Sequence, residues 1–340
     1  MPDVLVAGTP FGLQVADPCG RWLTDAHETV LESLPGVRLE HLSARELSDG
    51  VRPRRKPNVV LLETSGISAE YASLPGLIPR SALDGIITGE LRWIQSCSAG
   101  VEHLLPLVPG GVPLTSASGV HAKAVAEVVL AGILAHAKRF DTRRDNQHRR
   151  AWEALDCREL GATTVCVLGV GHIGAEIARL CNAFGMRVVG VARNARKLDG
   201  FATVFPQSHL HEALRGARYV AVACPLTEAT RGMVDAAALA QLDPSAYLLN
   251  IARGPIVDDD ALVDALRRNA LSGALLDAFE LEPLPGDHPY WSLPTVRLLP
   301  HDSHSSHRLG DNQIKAFADN LRRFVDGESL LNVVDPDAGY

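Results

Sequence analysis

The residues with the most chemical potential lie in the second half of this 340-residue chain, each just after a short apolar run. The first group, Gly169-Val170-Gly171-His172-Ile173-Gly174, fits the pattern G-x-G-x-x-G. Three more follow in order: Asn250-Ile251-Ala252-Arg253-Gly254, then Asp277-Ala278-Phe279-Glu280-Leu281-Glu282-Pro283, then Pro300-His301. A guanidinium can grip a carboxylate through two parallel hydrogen bonds. An imidazole gains and loses a proton near neutral pH, and a carboxylate beside it steadies the charged form. Singly, an Arg, a Glu or a His is most often a surface charge or a structural hydrogen-bonder. What makes these candidates is their order at the ends of successive expected strands, where open α/β sheets bind ligands.

A lone G-x-G-x-x-G is a weak signal, so its surroundings carry the weight. The apolar run Val165-Cys166-Val167-Leu168 precedes it, and Ile173, Ile177, Leu180, Cys181 and Phe184 then recur at helical spacing until Gly185. In a dinucleotide site the first glycine permits the tight turn, the second lets backbone approach the pyrophosphate, and the third lets helix and strand pack closely. The N–H groups of His172 and Ile173 open the helix, whose N-terminus favours phosphate.

The end of the next strand bears on which dinucleotide. An acidic residue there would accept hydrogen bonds from the ribose 2′-hydroxyl. The chain instead reads Val191-Ala192-Arg193-Asn194-Ala195-Arg196-Lys197. Arginine can hold a 2′-phosphate that a carboxylate would repel. NADP(H) is therefore favoured through Arg193 and Asn194, with Arg196 a further candidate, while NAD(H) stays open.

These groups need a scaffold, and the apolar pattern supplies one. Strands are expected over 4–7, 37–42, 58–62 and 91–95, with a helix over 27–34 and a surface excursion over 74–89. A long helix is expected over 122–140, followed by an exposed charged stretch over 141–150. Six further strands are expected over 163–168, 187–191, 218–223, 246–250, 274–276 and 296–299, and an amphipathic helix over 313–325. Strands alternating with helices imply parallel sheets covered on both faces. Trp93, Trp152 and Trp291 are expected to pack inside, as aromatic rings contribute large buried area.

The four ordered motifs resemble the D-isomer-specific 2-hydroxyacid dehydrogenase family. Ser98-Ala99-Gly100-Val101-Glu102-His103, Ala124-Val125-Ala126-Glu127, Glu159-Leu160-Gly161 and Cys224-Pro225-Leu226-Thr227 agree with it. The resemblance covers nearly the whole chain, most clearly from residue 91. It implies an α/β protein of two doubly wound parallel-sheet domains, a Rossmann NAD(P)-binding domain inserted into a flavodoxin-like substrate domain. The expected boundaries are 116–300 for the inserted domain, with 1–115 plus 301–340 forming the other.

The implied activity is hydride transfer between NAD(P)H and C2 of a 2-keto or 2-hydroxy acid, glyoxylate- or hydroxypyruvate-like. The resemblance implies that His301 is the proton donor and acceptor, Glu282 its partner, and Arg253 the clamp on substrate carboxylate and carbonyl. It further implies that Asp277 meets the nicotinamide carboxamide and that backbone N–H groups of Ala99, Gly100 and Val101 cradle the substrate carboxylate. Ile251, Cys224 and Pro225 join the cofactor contacts, and a homodimer is implied. Asp302-Ser303-His304 departs from the glycine-containing turn more usual after the family's histidine, which puts His304 at the substrate pocket. Oxidation of another small anion, phosphite- or formate-like, is an alternative on the same scaffold. So is a non-catalytic NAD(P)-sensing regulator, although a pure sensor needs no proton donor.

Composition narrows the classes. A net charge of -7 speaks against a nucleic-acid binder, and the basic run at 52–56 reads as a solvated loop. No apolar stretch is long enough to span a bilayer, and six scattered cysteines without a CxxC pair suit reduced thiols. A cytoplasmic enzyme is the expectation. His304 and His307 follow His301 at three-residue steps, but no acidic ligand set accompanies them, so no metal is expected.

Overall fold

The computed structural model describes residues 3–7, 29, 31, 33, 38–42, 58–62, 90–101 and 104–336. The basic run at 52–56, the 74–89 excursion, His103 and most of the helix expected over 27–34 lie outside them. The chain divides into two compact units, 1–121 with 306–340 and 122–305. Both divisions fall a few residues beyond the 115/116 and 300/301 boundaries expected from sequence.

The first unit holds a five-stranded parallel sheet in the order β2-β1-β3-β4-β5. Its strands are β1 (Asp3–Ala7), β2 (Arg38–Leu42), β3 (Val59–Leu62), β4 (Trp93–Ser96) and β5 (Leu114–Thr115). This is the flavodoxin-like order. The amphipathic helix Leu309–Asp326 is longer than expected and lays Ile314, Phe317 and Leu321 against Trp93, Val59 and Leu61. Trp93 is fully buried and donates its indole N–H to Thr115 Oγ1 at 2.8 Å. Gln95 and Asn320 continue this buried polar chain: Gln95 Oε1 accepts from Thr115 and Asn320, and Asn320 Oδ1 accepts the Leu331 N–H. Each buried amide is satisfied, so the network fixes the end of β4 without an orphan polar group.

The second unit holds seven parallel strands in the order β12-β11-β10-β9-β6-β7-β8. They are β6 (Thr164–Leu168), β7 (Arg187–Ala192), β8 (Thr203–Pro206), β9 (Tyr219–Val222), β10 (Tyr247–Asn250), β11 (Gly273–Leu276) and β12 (Val296–Leu298). Counting outward from β6, this is the doubly wound dinucleotide-binding order with one more strand. β6, β9, β10 and β11 are buried along nearly their whole length, as strands covered on both faces must be. Apolar clusters lie on either face of the sheet, one with the helix Ala122–Ala137 and the helix His172–Ala183, the other with the helix Asp259–Arg267.

Several details depart from the sequence reading. β8 was not expected: it is a four-residue edge strand ending in Pro206, with little apolar pattern to announce it. β5 is two residues long and equally silent. The helix expected over 122–140 stops at Ala137, because Arg139 takes a left-handed conformation (φ 54°), and a second helix, Phe140–His148, runs through the charged stretch. Trp152 and Trp291 do not pack inside; Trp152 is fully exposed in a stretch without helix or strand, and Trp291 is more than half exposed.

Register places the functional loops. Leu168, Val222, Asn250, Leu276 and Leu298 are Cα partners in one row across β6, β9, β10, β11 and β12. Every loop holding a candidate residue of this unit leaves the sheet just past that row, the Arg193 segment included, since Val191 of β7 pairs with Leu168. At the usual inter-strand spacing, the glycine turn after β6 and the loop after β12 stand about 19 Å apart along the edge.

Candidate active site

The glycine turn shows the tight bend expected of its first glycine and the close helix packing expected of its third. Gly169 adopts φ +104°, a conformation closed to most side chains, and a Cβ there would lie 2.6 Å from the Cys224 nitrogen. The turn is thus pressed against Ala223 and Cys224, bringing the Cys224–Pro225 loop beside it. A Cβ on Gly174 would fall 2.0 Å from the Gly169 carbonyl oxygen, so helix and turn touch backbone to backbone. A Cβ on Gly171, the N-cap, would meet nothing within 4 Å. That open space stands at the N-terminal end of a twelve-residue helix, with exposed His172 and half-buried Ile173 in its first turn. The residues present fit a dinucleotide pyrophosphate. Met186 and Gly185 N–H groups cap the helix's far end on Cys181 and Asn182. Arg193, Asn194 and Arg196 follow β7, all exposed, and Ile251 is buried after β10.

Arg253 is held by a clip that sequence reading did not assign. Asn250, buried at the end of β10, donates through Nδ2 to the Arg253 carbonyl at 3.1 Å and accepts the Ala252 N–H at 3.1 Å. An Asn at a strand end making such bonds to its own turn is the signal that could have found it. Arg253 itself is half-buried, with Nη1 on the Ala252 carbonyl at 2.9 Å. Gly254 follows, and a Cβ there would lie 2.0 Å from the Phe279 carbonyl carbon and 2.2 Å from the Glu280 nitrogen. The Arg253 loop and the Glu282 loop are therefore in backbone contact.

Glu282 and His301 meet directly. His301 Nδ1 and Glu282 Oε2 are 2.7 Å apart, and Glu282 Oε1 accepts the Phe279 N–H at 2.8 Å. Burial pushes the Glu282 carboxyl up, but the His301 hydrogen bond and charge, the Phe279 N–H and the Arg253 charge outweigh it and hold it below the usual glutamate range. The carboxylate is therefore ionised at neutral pH, which assigns the His301 Nδ1 proton to their shared bond. His301 sits at φ 57°, a left-handed conformation uncommon outside glycine and frequent at functional sites.

Asp277 is almost completely buried beneath this loop. Its Oδ1 accepts the Asp302 N–H at 2.9 Å, and both its oxygens accept the Ser303 N–H at 3.3 Å. Its observed contacts thus hold the segment that presents His301. The loop of Ala99, Gly100 and Val101 belongs to the first unit, directly after β4. Ser98 N–H bonds Ser96 Oγ at 3.0 Å, the Cys97 carbonyl accepts from Gln313, and the Ser98 carbonyl accepts the Ala117 N–H. Among the described residues no group of three His, Cys, Asp or Glu side chains could hold a metal ion. Nor, among them, is any helix long and apolar enough to cross a membrane.

Known proteins resemble this chain in sequence and in fold. The family model for the D-isomer specific 2-hydroxyacid dehydrogenase NAD binding domain matches residues 130–303. A glyoxylate/hydroxypyruvate reductase A of Serratia proteamaculans is 31% identical over 260 residues, 74% of this chain and 82% of that protein. The crystal structure of a D-isomer specific 2-hydroxyacid dehydrogenase family protein from Aeromonas salmonicida matches with a TM-score of 0.82 at 27% identity, over 99% of this chain and 100% of that one. A D-isomer specific 2-hydroxyacid dehydrogenase from Xanthobacter autotrophicus, solved with NADPH, matches over 100% of both chains with a TM-score of 0.79 at 27% identity. A parallel dinucleotide-binding sheet carrying an imidazole–carboxylate pair defines an oxidoreductase of the NAD(P)-dependent class. The chain belongs to the D-isomer specific 2-hydroxyacid dehydrogenase family.

Proposed function

We propose that this enzyme reduces a short 2-keto acid of the glyoxylate or hydroxypyruvate kind, with NADPH as the hydride source and His301 as the proton donor. The observation that carries the reading is the 2.7 Å pairing of His301 Nδ1 with an ionised Glu282. Reduced nicotinamide supplies a hydride to C2. The chain's own residues do the rest. Arg253 grips the substrate carboxylate and carbonyl oxygen, aiming the carbon and stabilising negative charge as it develops. The imidazolium of His301 gives its Nε2 proton to that oxygen, becomes neutral, and is reprotonated from solvent. Glu282 holds the ring in place throughout.

The glycine turn, His172 and Ile173 take the pyrophosphate, while Cys224, Pro225, Ile251 and Asp277 line the course of the dinucleotide toward β12. NADPH is preferred over NADH through Arg193, Asn194 and Arg196, and no carboxylate stands at position 192 to repel the 2′-phosphate. The NADPH-bound Xanthobacter structure supports this choice, as the name of the Serratia relative supports the substrate. The test is His301→Gln assayed by NADPH consumption with glyoxylate. Turnover should fall by about 10²- to 10⁴-fold while NADPH binding, followed by fluorescence, stays near wild type. Turnover within a factor of about three of wild type would refute the proton-donor role.

A further inference from the structure

A second cluster of polar groups lies at the opposite end of the seven-stranded sheet, where its strands begin. Tyr219 and Tyr247 are Cα partners on β9 and β10, and both are almost completely buried. Gly273 pairs with Tyr247, and Leu275, two residues on, pairs with Arg297 of β12, so Arg297 shares the tyrosines' face. His136, in the last turn of the helix Ala122–Ala137, stacks on the Tyr247 ring at 4.3 Å and meets Tyr219 edge-on at 5.8 Å. Arg218 directly precedes Tyr219, and its charge and that of Arg297 both bear on His136. Three residues of β10, about 10 Å, separate Tyr247 from Asn250 and the row that carries the chemistry.

The hydroxyls of Tyr219 and Tyr247, Nε and Nη1 of Arg218 and Nη1 of Arg297 are buried and have no hydrogen-bond partner among the described residues. Arg218 stands near the Tyr219 hydroxyl and Arg297 near that of Tyr247, without closing a hydrogen bond of ordinary geometry. Even a closed bond would use the phenol oxygen as acceptor and leave its proton unplaced. Burial keeps both phenols protonated, Tyr247 being pushed up to about 12. Ser272 gives its hydroxyl proton to the Ser245 or Ala246 carbonyl and so accepts from His136 Nε2, which leaves His136 Nδ1 as a bare acceptor. Burial, then the charges of Arg218 and Arg297, push that ring down to about 4, so it adds no charge of its own near neutral pH. Donors therefore outnumber acceptors. Cations outnumber anions as well: Arg218, Arg297 and Arg158 act on His136 against Asp141 alone, and Asp141 is taken up by two hydrogen bonds from Arg297. Asp243, which also feels Arg218, is exposed and accepts the Ser245 N–H.

We propose that these guanidinium and hydroxyl groups hold a small monatomic anion, chloride under ordinary conditions. A water molecule would bring two protons of its own to a place already short of acceptors. A halide accepts from every side and offsets the surplus positive charge, which burial would otherwise make costly. Groups this closed off suit an ion of about a water's size, not a phosphate. The site stands apart from Arg253, Glu282 and His301 and does not depend on the function proposed for them.

The experiment follows thermal melting of the whole protein as sodium chloride replaces sodium gluconate at constant ionic strength. Wild type should gain stability in a saturable way. The folded-to-unfolded ratio should rise about hundredfold once chloride exceeds its dissociation constant by the same factor, which is several degrees of Tm. The double variant Tyr219→Phe, Tyr247→Phe keeps both rings against His136 and should lose most of that response. Should it fail to fold, Arg218→Met carries the comparison. Crystals soaked in sodium bromide should show an anomalous peak between the two hydroxyls. A chloride response equal in wild type and variant, or soaked crystals without that peak, overturns the proposal. So does an equal, tyrosine-dependent response to sodium phosphate or acetate, or a carboxylate of a second copy found in the same place.

Discussion

Replacing Gly254 with alanine tests whether backbone contact between two loops sets the geometry of the site. The added Cβ would lie 2.0 Å from the Phe279 carbonyl carbon and 2.2 Å from the Glu280 nitrogen. An ordinary contact needs about 3.4 Å, so the loops must part by about 1.4 Å, and backbone atoms cannot rotate out of the way as a side chain can. One loop carries Arg253 and the other Glu282, so the guanidinium and the imidazole–carboxylate pair move apart by a comparable amount. Misplacement on the order of 1 Å can cost about 10²-fold in rate, equivalent to about 2.7 kcal/mol of transition-state stabilisation. The assay is kcat/KM for glyoxylate with saturating NADPH, accompanied by thermal melting. Overpacking should cost about 1–3 kcal/mol of stability, hence about 2–4 °C of Tm for each kcal/mol. NADPH affinity should hold, because the glycine turn after β6 is untouched. Gly286→Ala is the control, since a Cβ there meets nothing within 4 Å. A Gly254→Ala enzyme with wild-type melting and kcat/KM within about fivefold would show that the loop contact does not govern catalysis.

Other outcomes follow from the same geometry. Glu282→Gln should lower turnover by about 10²-fold or more, because the ring loses its charged, orienting partner; steady-state kinetics at neutral pH checks this. The Glu282 carboxyl is held below its usual range, so its contribution to stability is present above about pH 4.3 and drains away as pH falls through the depressed folded value. The melting difference between wild type and Glu282→Gln should accordingly shrink as the medium is acidified below that point; a difference that grew would contradict the sign. Arg193→Ser should reduce the NADPH-to-NADH ratio of kcat/KM by about tenfold to a hundredfold, from the loss of a charge-assisted phosphate contact. An unaltered ratio would remove Arg193 from the cofactor assignment.

Much of this was legible in the sequence because it is local. The glycines at 169, 171 and 174 announce their turn through their spacing together with the apolar run before them and the helical pattern after, and β6, β9, β10 and β11 are apolar runs flanked by turn residues. Arg253, Glu282 and His301 could be singled out because each follows such a run. What could not be read depends on partners distant in the chain. Nothing near Asp277 says that its carboxylate will collect the N–H groups of Asp302 and Ser303, twenty-five and twenty-six residues onward. The Asn250 clip was readable in principle, since an Asx turn is local, but the same letters serve equally in a surface loop. Trp152 and Trp291 misled because ring size favours burial without guaranteeing it, and β8 was hidden because an edge strand needs apolar residues on one face only.

The single row formed by Leu168, Val222, Asn250, Leu276 and Leu298 makes the sheet a ruler against which the chemistry is measured. Inserting or deleting one residue below the row, inside a strand, would turn alternate side chains to the opposite face and carry Asp277 or Gly169 out of its place. Changes above it alter only the length and make-up of a loop. The chain is therefore rigid toward indels on one side of a line and tolerant of them on the other, and variants with new substrate ranges should accumulate on the tolerant side.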